Sequence, residues 1–287
     1  MSKARVIFST GSLFICDTAA CFQVAAEAGC DGLEIMCDER WSTRSPDYLN
    51  KLSEQFGIRP ITLHTPMVHL VRHLQGWDVP RTYVDVAKCT LDLAESIGAE
   101  TIVVHLPPKV SVVSLQNADT RWQGMYFPWF SNKNAKKMME WIDKTVPSLE
   151  TGVKVGVENL PVQRWIGLKA NPFYCNTVQE WSTVAPHLTM DTTHWATHGI
   201  DPLDAYRAAK KRVAHVHLSN FDGREHRLPH KGDVDLGKLL REMARDGFGG
   251  TICIELHPDS LGFPDEKAIL QNLKDSVDFC RENLNVS

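Results

Sequence analysis

The chain has 287 residues, 43% of them hydrophobic, and a formal net charge of −4 with its histidines neutral. This length suits one large α/β barrel or two ordinary domains, and the hydrophobic fraction is that of a globular protein. No apolar run approaches the roughly 20 residues of a membrane span, and the charge gives no general attraction to nucleic acid.

The N-terminus has two early basic residues, but its apolar run is too short for a secretory signal. The sequence therefore predicts a cytoplasmic protein without a membrane partner, and a nucleic-acid partner is not expected. Assembly into a homo-oligomer is also compatible with the sequence. The eight cysteines form no CxxC pair, and we expect them to be reduced and mostly buried.

Eight β-rich runs alternate with helical patterns along the whole chain. The predicted strands are residues 5–10, 32–36, 59–64, 101–106, 154–159, 187–192, 213–219 and 251–257. Most are continuous apolar runs, as expected of parallel strands that are covered on both faces. The predicted helices are residues 17–29, 46–57, 80–97, 132–146, 177–184, 201–211, 235–246 and 265–282.

This alternation predicts an α/β fold, a single (β/α)8 TIM barrel that occupies residues 1–287 as one domain. An open doubly wound sheet is the alternative, but no GxGxxG follows the first strand. Two connections, residues 107–131 and 160–176, are long and aromatic. Loops of that length without secondary structure are often functional, so we expect them to pack over the barrel rim, to line a substrate pocket, or both.

Polar residues of metal-ligand type stand at or just past the ends of the apolar strands. A carboxylate or imidazole buried there is costly unless it is paired or bound to a metal. In a parallel barrel these strand ends converge on one face, where catalytic residues collect. The sequence therefore predicts a metal centre at the barrel mouth, with candidate residues His64, His105, Glu158, Asp191, His194, His217, Glu255 and, less cleanly placed, His226.

Three carboxylates and one imidazole form an oxygen-rich ligand set that suits Mn²⁺, Mg²⁺ or Co²⁺, and Zn²⁺ is also compatible. These are Glu158, Asp191, His217 and Glu255. His64 and His105 could hold a second ion, with Glu158 as a bridge. His215 shares a strand face with His217, but His217 is nearer the C-terminal end of the strand and is the better candidate for a ligand.

These motifs resemble the xylose isomerase-like TIM-barrel superfamily, which includes sugar isomerases and epimerases, inosose dehydratase and endonuclease IV. The resemblance runs from GLEI (32–35) to IELHP (254–258) and depends on the order and spacing of short motifs. In the isomerase and epimerase branch, Glu, Asp, His and Glu from successive strands hold the metal. They match Glu158, Asp191, His217 and Glu255. The histidine of the DxxH motif matches His194 and is implied to bind substrate.

Endonuclease IV resembles the chain in further ligands. Its first site implies that His64, His105 and Glu158 bind a metal. Its third site uses the DxxH histidine with an Asp and a His from one loop. The corresponding loop here is REHRLPHKG (224–232), in which His226 takes the place of the His and Arg224 replaces the Asp. A guanidinium cannot ligate a cation, so we expect one or two ions rather than three.

In the epimerase branch the same loop carries a substrate-binding Arg, and His226 stands at its position with Arg224 and Arg227 on either side. The loop could therefore set a cation against a phosphate or carboxylate, or it is simply a solvated basic loop.

The resemblance implies a metal-dependent isomerase or epimerase of a sugar or polyol, with Glu158 and Glu255 transferring the proton. The alternatives are an endonuclease IV-like phosphodiesterase, a dehydratase or other lyase that uses the same site, and a metal-binding subunit without activity.

Overall fold

The computed structural model describes residues 3–66, 82–116, 122–165 and 168–285, with the backbone alone for residues 111–116, 122–131, 164–165 and 168. Eight parallel strands close into a barrel, in the order β1-β8-β7-β6-β5-β4-β3-β2. They are β1 Arg5–Ser9, β2 Gly32–Met36, β3 Pro60–His64, β4 Thr101–His105, β5 Lys154–Glu158, β6 His187–Asp191, β7 Val213–Leu218 and β8 Thr251–Ile254. The predicted TIM barrel is confirmed, and closure of the sheet excludes the open alternative.

Helices surround the barrel and follow the predicted pattern. They are α1 Thr18–Glu27, α2 Pro46–Phe56, α3 Tyr83–Ile97, α4 Lys133–Glu140, α5 Val178–Trp181, α6 Thr192–His198, α7 Pro202–Ala209, α8 Leu236–Arg245, α9 Pro258–Leu261 and α10 Glu266–Leu284. After α4 the chain continues as a π-helical turn, Trp141–Thr145, and a 3₁₀ turn, Val146–Ser148. Two more 3₁₀ turns, Thr10–Leu13 and Trp41–Thr43, follow β1 and precede α2. The short helices α6 and α9 were not predicted.

The two long connections contain secondary structure, which corrects their interpretation as loops without structure of their own. Residues 110–116 and 122–131 pair as an antiparallel hairpin, and residues 163–165 pair with 168–170. The two connections also meet, because the amide of Lys109 donates to the carbonyl of Pro172 at 2.7 Å. The side chains of Trp122, Tyr126, Phe127, Trp129, Phe130 and Trp165 lie outside the described part of the chain, so the lining of a pocket by these aromatics stays a prediction.

The strand register brings the predicted site residues to one end of the barrel. His105 on β4 stands opposite Glu158 on β5, and Asp191 on β6 stands opposite His217 on β7. His64 is the last residue of β3. Among the described helices, none is both long and apolar enough to cross a membrane.

Four of the eight cysteines are buried and four are partly exposed. Cys253, on β8, is the one that lies inside the barrel next to the site described below.

Candidate metal centre

Four side chains converge where β5, β6, β7 and β8 end. Glu158 and Asp191 are the last residues of their strands, His217 is one residue from the end of its strand, and Glu255 directly follows β8. Each offers one ligand atom, and these atoms all lie within 4.8 Å of one another. From Nδ1 of His217, Oε1 of Glu158 is at 2.8 Å, Oε2 of Glu255 at 3.0 Å and Oδ2 of Asp191 at 4.0 Å.

The backbone around Asp191 is held firmly by its neighbours. The side-chain amide of Asn159 donates to the carbonyl of Asp191 at 3.0 Å, and its oxygen accepts from the amide of Asp191 at 2.8 Å. Asp191 is also the N-cap of α6, because its Oδ1 accepts from the amide of His194 at 2.8 Å. One carboxylate oxygen is thereby used by the helix, and Oδ2 remains for the site.

The chemistry of this group fits a divalent cation. Oδ2 of Asp191 is buried and accepts no hydrogen bond from the described residues. Oε2 of Glu158 is buried as well, and the ring nitrogens of His105 and His64 approach it at 3.1 and 3.4 Å. Buried polar atoms without partners are costly, and three carboxylates that share one space repel each other unless a positive charge lies between them. Three carboxylates with one imidazole are the ligands that Mn²⁺, Mg²⁺, Co²⁺ and Zn²⁺ accept.

The pKa values of these residues reflect the close approach of their charged groups. Burial, with a smaller effect from Glu158, raises the pKa of Asp191 to about 7, and burial raises the pKa of Glu255 as well. Burial opposes the charge on His217, but Glu255, Glu34 and Glu158 outweigh it and raise the pKa of His217 well above its ordinary value.

A second group of ligand atoms adjoins the first and shares Glu158. Nε2 of His105 lies 3.1 Å from Nε2 of His64 and 3.1 Å from Oε2 of Glu158, and His64 Nε2 lies 3.4 Å from the same oxygen. His64 is buried, whereas the side chain of His105 is 29% exposed. The two oxygens of Glu158 therefore face different groups, which is the geometry that a bridging carboxylate needs.

A third group consists of Asp191, His194 and His226, whose ligand atoms also lie within 4.8 Å of one another. Nδ1 of His194 lies 2.8 Å from the carbonyl of Asn159, and the ring of His226 meets the ring of His194 edge to face at 5.7 Å. The backbone of His226 has φ +57°, an uncommon conformation for a residue with a side chain.

The two arginines of the 224–232 loop do not belong to any of these groups. Arg224 has a side chain that is 67% exposed and pairs with Asp222 at 3.4 Å. Arg227 also pairs with Asp222, at 3.3 Å, and donates to Oγ of Ser260 at 3.0 Å. Glu225, which lies between them, is partly buried, and burial raises its pKa.

The sequence analysis missed one ionisable residue of the site, Glu34 in β2. Its carboxylate is completely buried and lies 3.1 Å from Nε2 of His217 and 2.9 Å from Nε2 of His215. Burial would raise the pKa of Glu34, but the two imidazoles hold it well below its usual range. A signal was present in the sequence, because Glu34 is a lone carboxylate inside the apolar run GLEIM.

His215 lies one layer deeper in the barrel than His217. It is fully buried, and its Nδ1 lies 2.6 Å from Oγ1 of Thr251. The two rings meet edge to face at 4.8 Å, in agreement with their predicted position on one face of the strand.

Residues 22–282 match the profile of the family described as the xylose isomerase-like TIM barrel. The chain belongs to this family. It is also 26% identical to an uncharacterised protein of Mycobacterium tuberculosis and 25% identical to one of Mycobacterium leprae, in each case over 98% of both chains.

Several solved structures share the fold. A D-psicose 3-epimerase, determined in the presence of D-fructose, superposes with a TM-score of 0.69 and 14% identity over 98% of this chain and all of that chain. A D-tagatose 3-epimerase-like protein gives 0.67 and 18% over 98% and 99% of the two chains. A family 2 AP endonuclease from Brucella melitensis gives 0.61 and 17%, over 90% and 94%.

Proposed function

We propose that this protein is a divalent-metal-dependent isomerase or epimerase that acts on a sugar or related polyol. One observation carries the proposal: the carboxylates of Glu158 and Glu255 approach the same nitrogen of His217, at 2.8 and 3.0 Å, from two different strands. Two carboxylates that face one small space can remove a proton from a carbon and return it. The resemblance in fold to sugar 3-epimerases supports the same substrate class.

In this proposal the chain itself binds and orients the substrate and moves the proton. One of Glu158 and Glu255 takes the proton from the carbon next to the substrate carbonyl, and the other returns it. A divalent ion held by Glu158, Asp191, His217 and Glu255 would supply Lewis-acid stabilisation of the charge that develops on the enediolate.

The substrate hydroxyls would be oriented by His194 and His226, which face each other across the rim of the site. Arg224 and Arg227 stay the candidates for contact with an anionic group of the substrate. Arg227 is the better placed of the two, because its contacts with Asp222 and Ser260 hold it on the loop.

Exchange of solvent deuterium tests the reaction. In D₂O with Mn²⁺, a panel of ketoses should acquire deuterium at the carbon next to the carbonyl, read by NMR as loss of the carbon-bound proton. Glu255→Gln should keep the fold and lose the exchange, because an amide is no base at neutral pH. Glu266→Gln, at the exposed start of α10, is the matched control and should exchange like the wild type.

The second candidate function is an endonuclease IV-like phosphodiesterase. It is favoured by the group of His64, His105 and Glu158, because two ions that share a carboxylate are the usual arrangement for hydrolysis of phosphodiesters. Absence of exchange on every ketose, together with cleavage of abasic-site DNA, would overturn the isomerase proposal. If the protein is a dehydratase, the same NMR experiment should show loss of water from a polyol.

A further inference from the structure

A carboxylate is sealed inside the barrel directly beneath the four-ligand group. Glu34 and its neighbours Ser9, His215 and His217 have no exposed surface. Oε1 of Glu34 accepts from Oγ of Ser9 at 3.0 Å, and Oε2 faces the Nε2 atoms of His217 and His215. Both oxygens of the carboxylate therefore contact polar neighbours.

The two nitrogens of His217 lie in different surroundings. Nδ1 faces the carboxylates of Glu158 and Glu255, whereas Nε2 faces only Glu34 among these carboxylates. A neutral imidazole carries one proton, and the nitrogen that ligates a cation must be without it. When the proton is on Nε2 and is donated to Glu34, the lone pair of Nδ1 points at the carboxylates of the site.

We propose that Glu34 is a positioning residue that holds the ring of His217 by its Nε2, so that Nδ1 is directed at the cation site. The inference rests on the metal centre of the proposed function. A buried carboxylate that accepts from the far nitrogen of a ligating histidine holds the ring in place and makes it a stronger ligand. His215 supports the same oxygen from below, because Thr251 holds its other nitrogen.

The same atoms have a competing interpretation as a cation site of their own. Glu34, His215, His217 and Cys253 each offer a ligand atom, and these lie within 4.8 Å of one another. All four are buried, so an ion would have no path from water. The positioning role needs no such path, and finding a tightly bound ion that disappears with Cys253→Ala would overturn it.

Two substitutions test the role of Glu34. Glu34→Ala should weaken Mn²⁺ binding by about 10- to 100-fold, the usual cost of losing such a partner. Glu34→Gln keeps an acceptor but not the charge, and should weaken binding less, yet by at least about threefold. Titration calorimetry measures both, with circular dichroism to establish that each variant is folded.

The contact from Nε2 of His217 to Glu34 gives a readout that a merely structural role would not change. In Zn²⁺-loaded protein labelled with ¹⁵N-histidine, an ion on Nδ1 leaves the ring proton on Nε2, and donation to Glu34 should shift the ¹H signal of that proton downfield in the wild type. In Glu34→Ala the signal should move upfield or be lost to exchange with water. Because the measurement needs no substrate, its failure is distinguishable from failure of the proposed reaction.

Thr62→Val is the matched control, since Thr62 is equally buried, lies opposite Glu34 in the strand register, and its Oγ1 makes no hydrogen bond with the described residues. It should bind Mn²⁺ within about twofold of the wild type. Equal loss of affinity in Thr62→Val, unchanged affinity in Glu34→Gln, or an unchanged signal of the Nε2 proton in a folded Glu34→Ala would each overturn the proposal.

Discussion

Asp191 illustrates how one residue serves both the local structure and the site. Its Oδ1 caps α6 through the amide of His194, and its Oδ2 is buried and makes no hydrogen bond with the described residues. Substitution by Ala would remove both roles at once. Asn separates them, because its side-chain oxygen also caps helices well.

We therefore predict that Asp191→Asn is folded but retains little metal and no activity. Asp191→Ala should show the same losses and should also lower the free energy of unfolding, by about 1 kcal/mol for the missing cap. Elemental analysis of dialysed protein measures the metal, and urea denaturation measures the stability. A fully loaded Asp191→Ala protein would remove Asp191 from the ligand set.

At this scale the sequence predicted the ligand-type residues but not their partners. The ends of the predicted strands identified Glu158, Asp191, His217 and Glu255, because a charged side chain buried there is costly unless it is paired or bound to a metal. Glu34 was missed because it lies in the middle of its strand, and only closure of the barrel brings β2 within reach of His217 on β7. The spacing of residues along the sequence does not predict the contact between Glu34 and His217.

The elements depend on close contacts between strands at the opposite end of the barrel. Gly250 precedes β8 next to the backbone of Ala214 on β7, and a Cβ at this position would overlap the carbonyl oxygen of Ala214. The backbone of Ala214 cannot move aside as the end of a flexible side chain could. The strands approach so closely there that glycine is required.

Gly250→Ala should lower the free energy of unfolding by about 1–3 kcal/mol through overpacking. Gly152→Ala is the control, because no atom lies within 4 Å of a Cβ added there, and it should change the stability by less than about 0.5 kcal/mol. Urea denaturation of the two variants measures the difference. Equal stabilities would show that the strands move apart at no cost.

A cluster of charges also joins the strands at this end. Nη1 and Nη2 of Arg5, on β1, donate to the carboxylate of Glu100 at 2.7 and 2.6 Å, and Arg59 donates to it at 2.9 Å. These hydrogen bonds, chiefly those from Arg5, lower the pKa of Glu100 to about 2. The carboxylate is 41% exposed, so solvent screens much of its effect on stability.

Because the pKa of Glu100 is lower in the folded chain than in the unfolded chain, its contribution to stability is present above about pH 4.5. It is lost as the pH falls toward 2, where the folded form also takes up the proton. Glu100→Gln should therefore be about 1 kcal/mol less stable than the wild type at pH 7. The difference should vanish near pH 2 in urea titrations across this range. A constant difference at all pH values would assign the loss to packing instead.

The secondary structure was largely predictable because strands covered on both faces are apolar throughout and the helices between them are amphipathic. The antiparallel pairing of residues 110–116 with 122–131, and of 163–165 with 168–170, was not predicted, since both lie within connections between the barrel elements. The helix α6 was not predicted because it begins at Thr192, directly after Asp191, which is both the last residue of β6 and the N-cap of α6. Asp191 is thus a candidate metal ligand as well as a strand end and a helix cap.

For the whole molecule, the number of bound ions separates the candidate functions. We predict one or two ions per chain by elemental analysis. The third group, Asp191, His194 and His226, gains no carboxylate from position 224, where Arg224 is exposed and paired with Asp222. Three ions, with loss of the third in both His194→Ala and His226→Ala, would contradict this prediction and favour the phosphodiesterase.

Metal binding should also stabilise the whole barrel, because the ligands come from four strands that are far apart in sequence. At free Mn²⁺ of 100 times its dissociation constant, the free energy of unfolding should rise by about 2.7 kcal/mol. Thermal unfolding with Mn²⁺, and with excess chelator as the control, measures the shift. No change in midpoint would mean that the folded chain does not bind the ion in preference to the unfolded chain.

The shared position of Glu158 makes the first two groups thermodynamically linked. Its Oε1 faces His217 and its Oε2 faces His64 and His105, so an occupant of one group changes the charge that the other group meets. Linkage is reciprocal: whatever factor a first ion imposes on the affinity for a second, the second imposes on the first. Two ions in this barrel would therefore titrate as a coupled pair, with cooperativity whose sign is set by a single carboxylate.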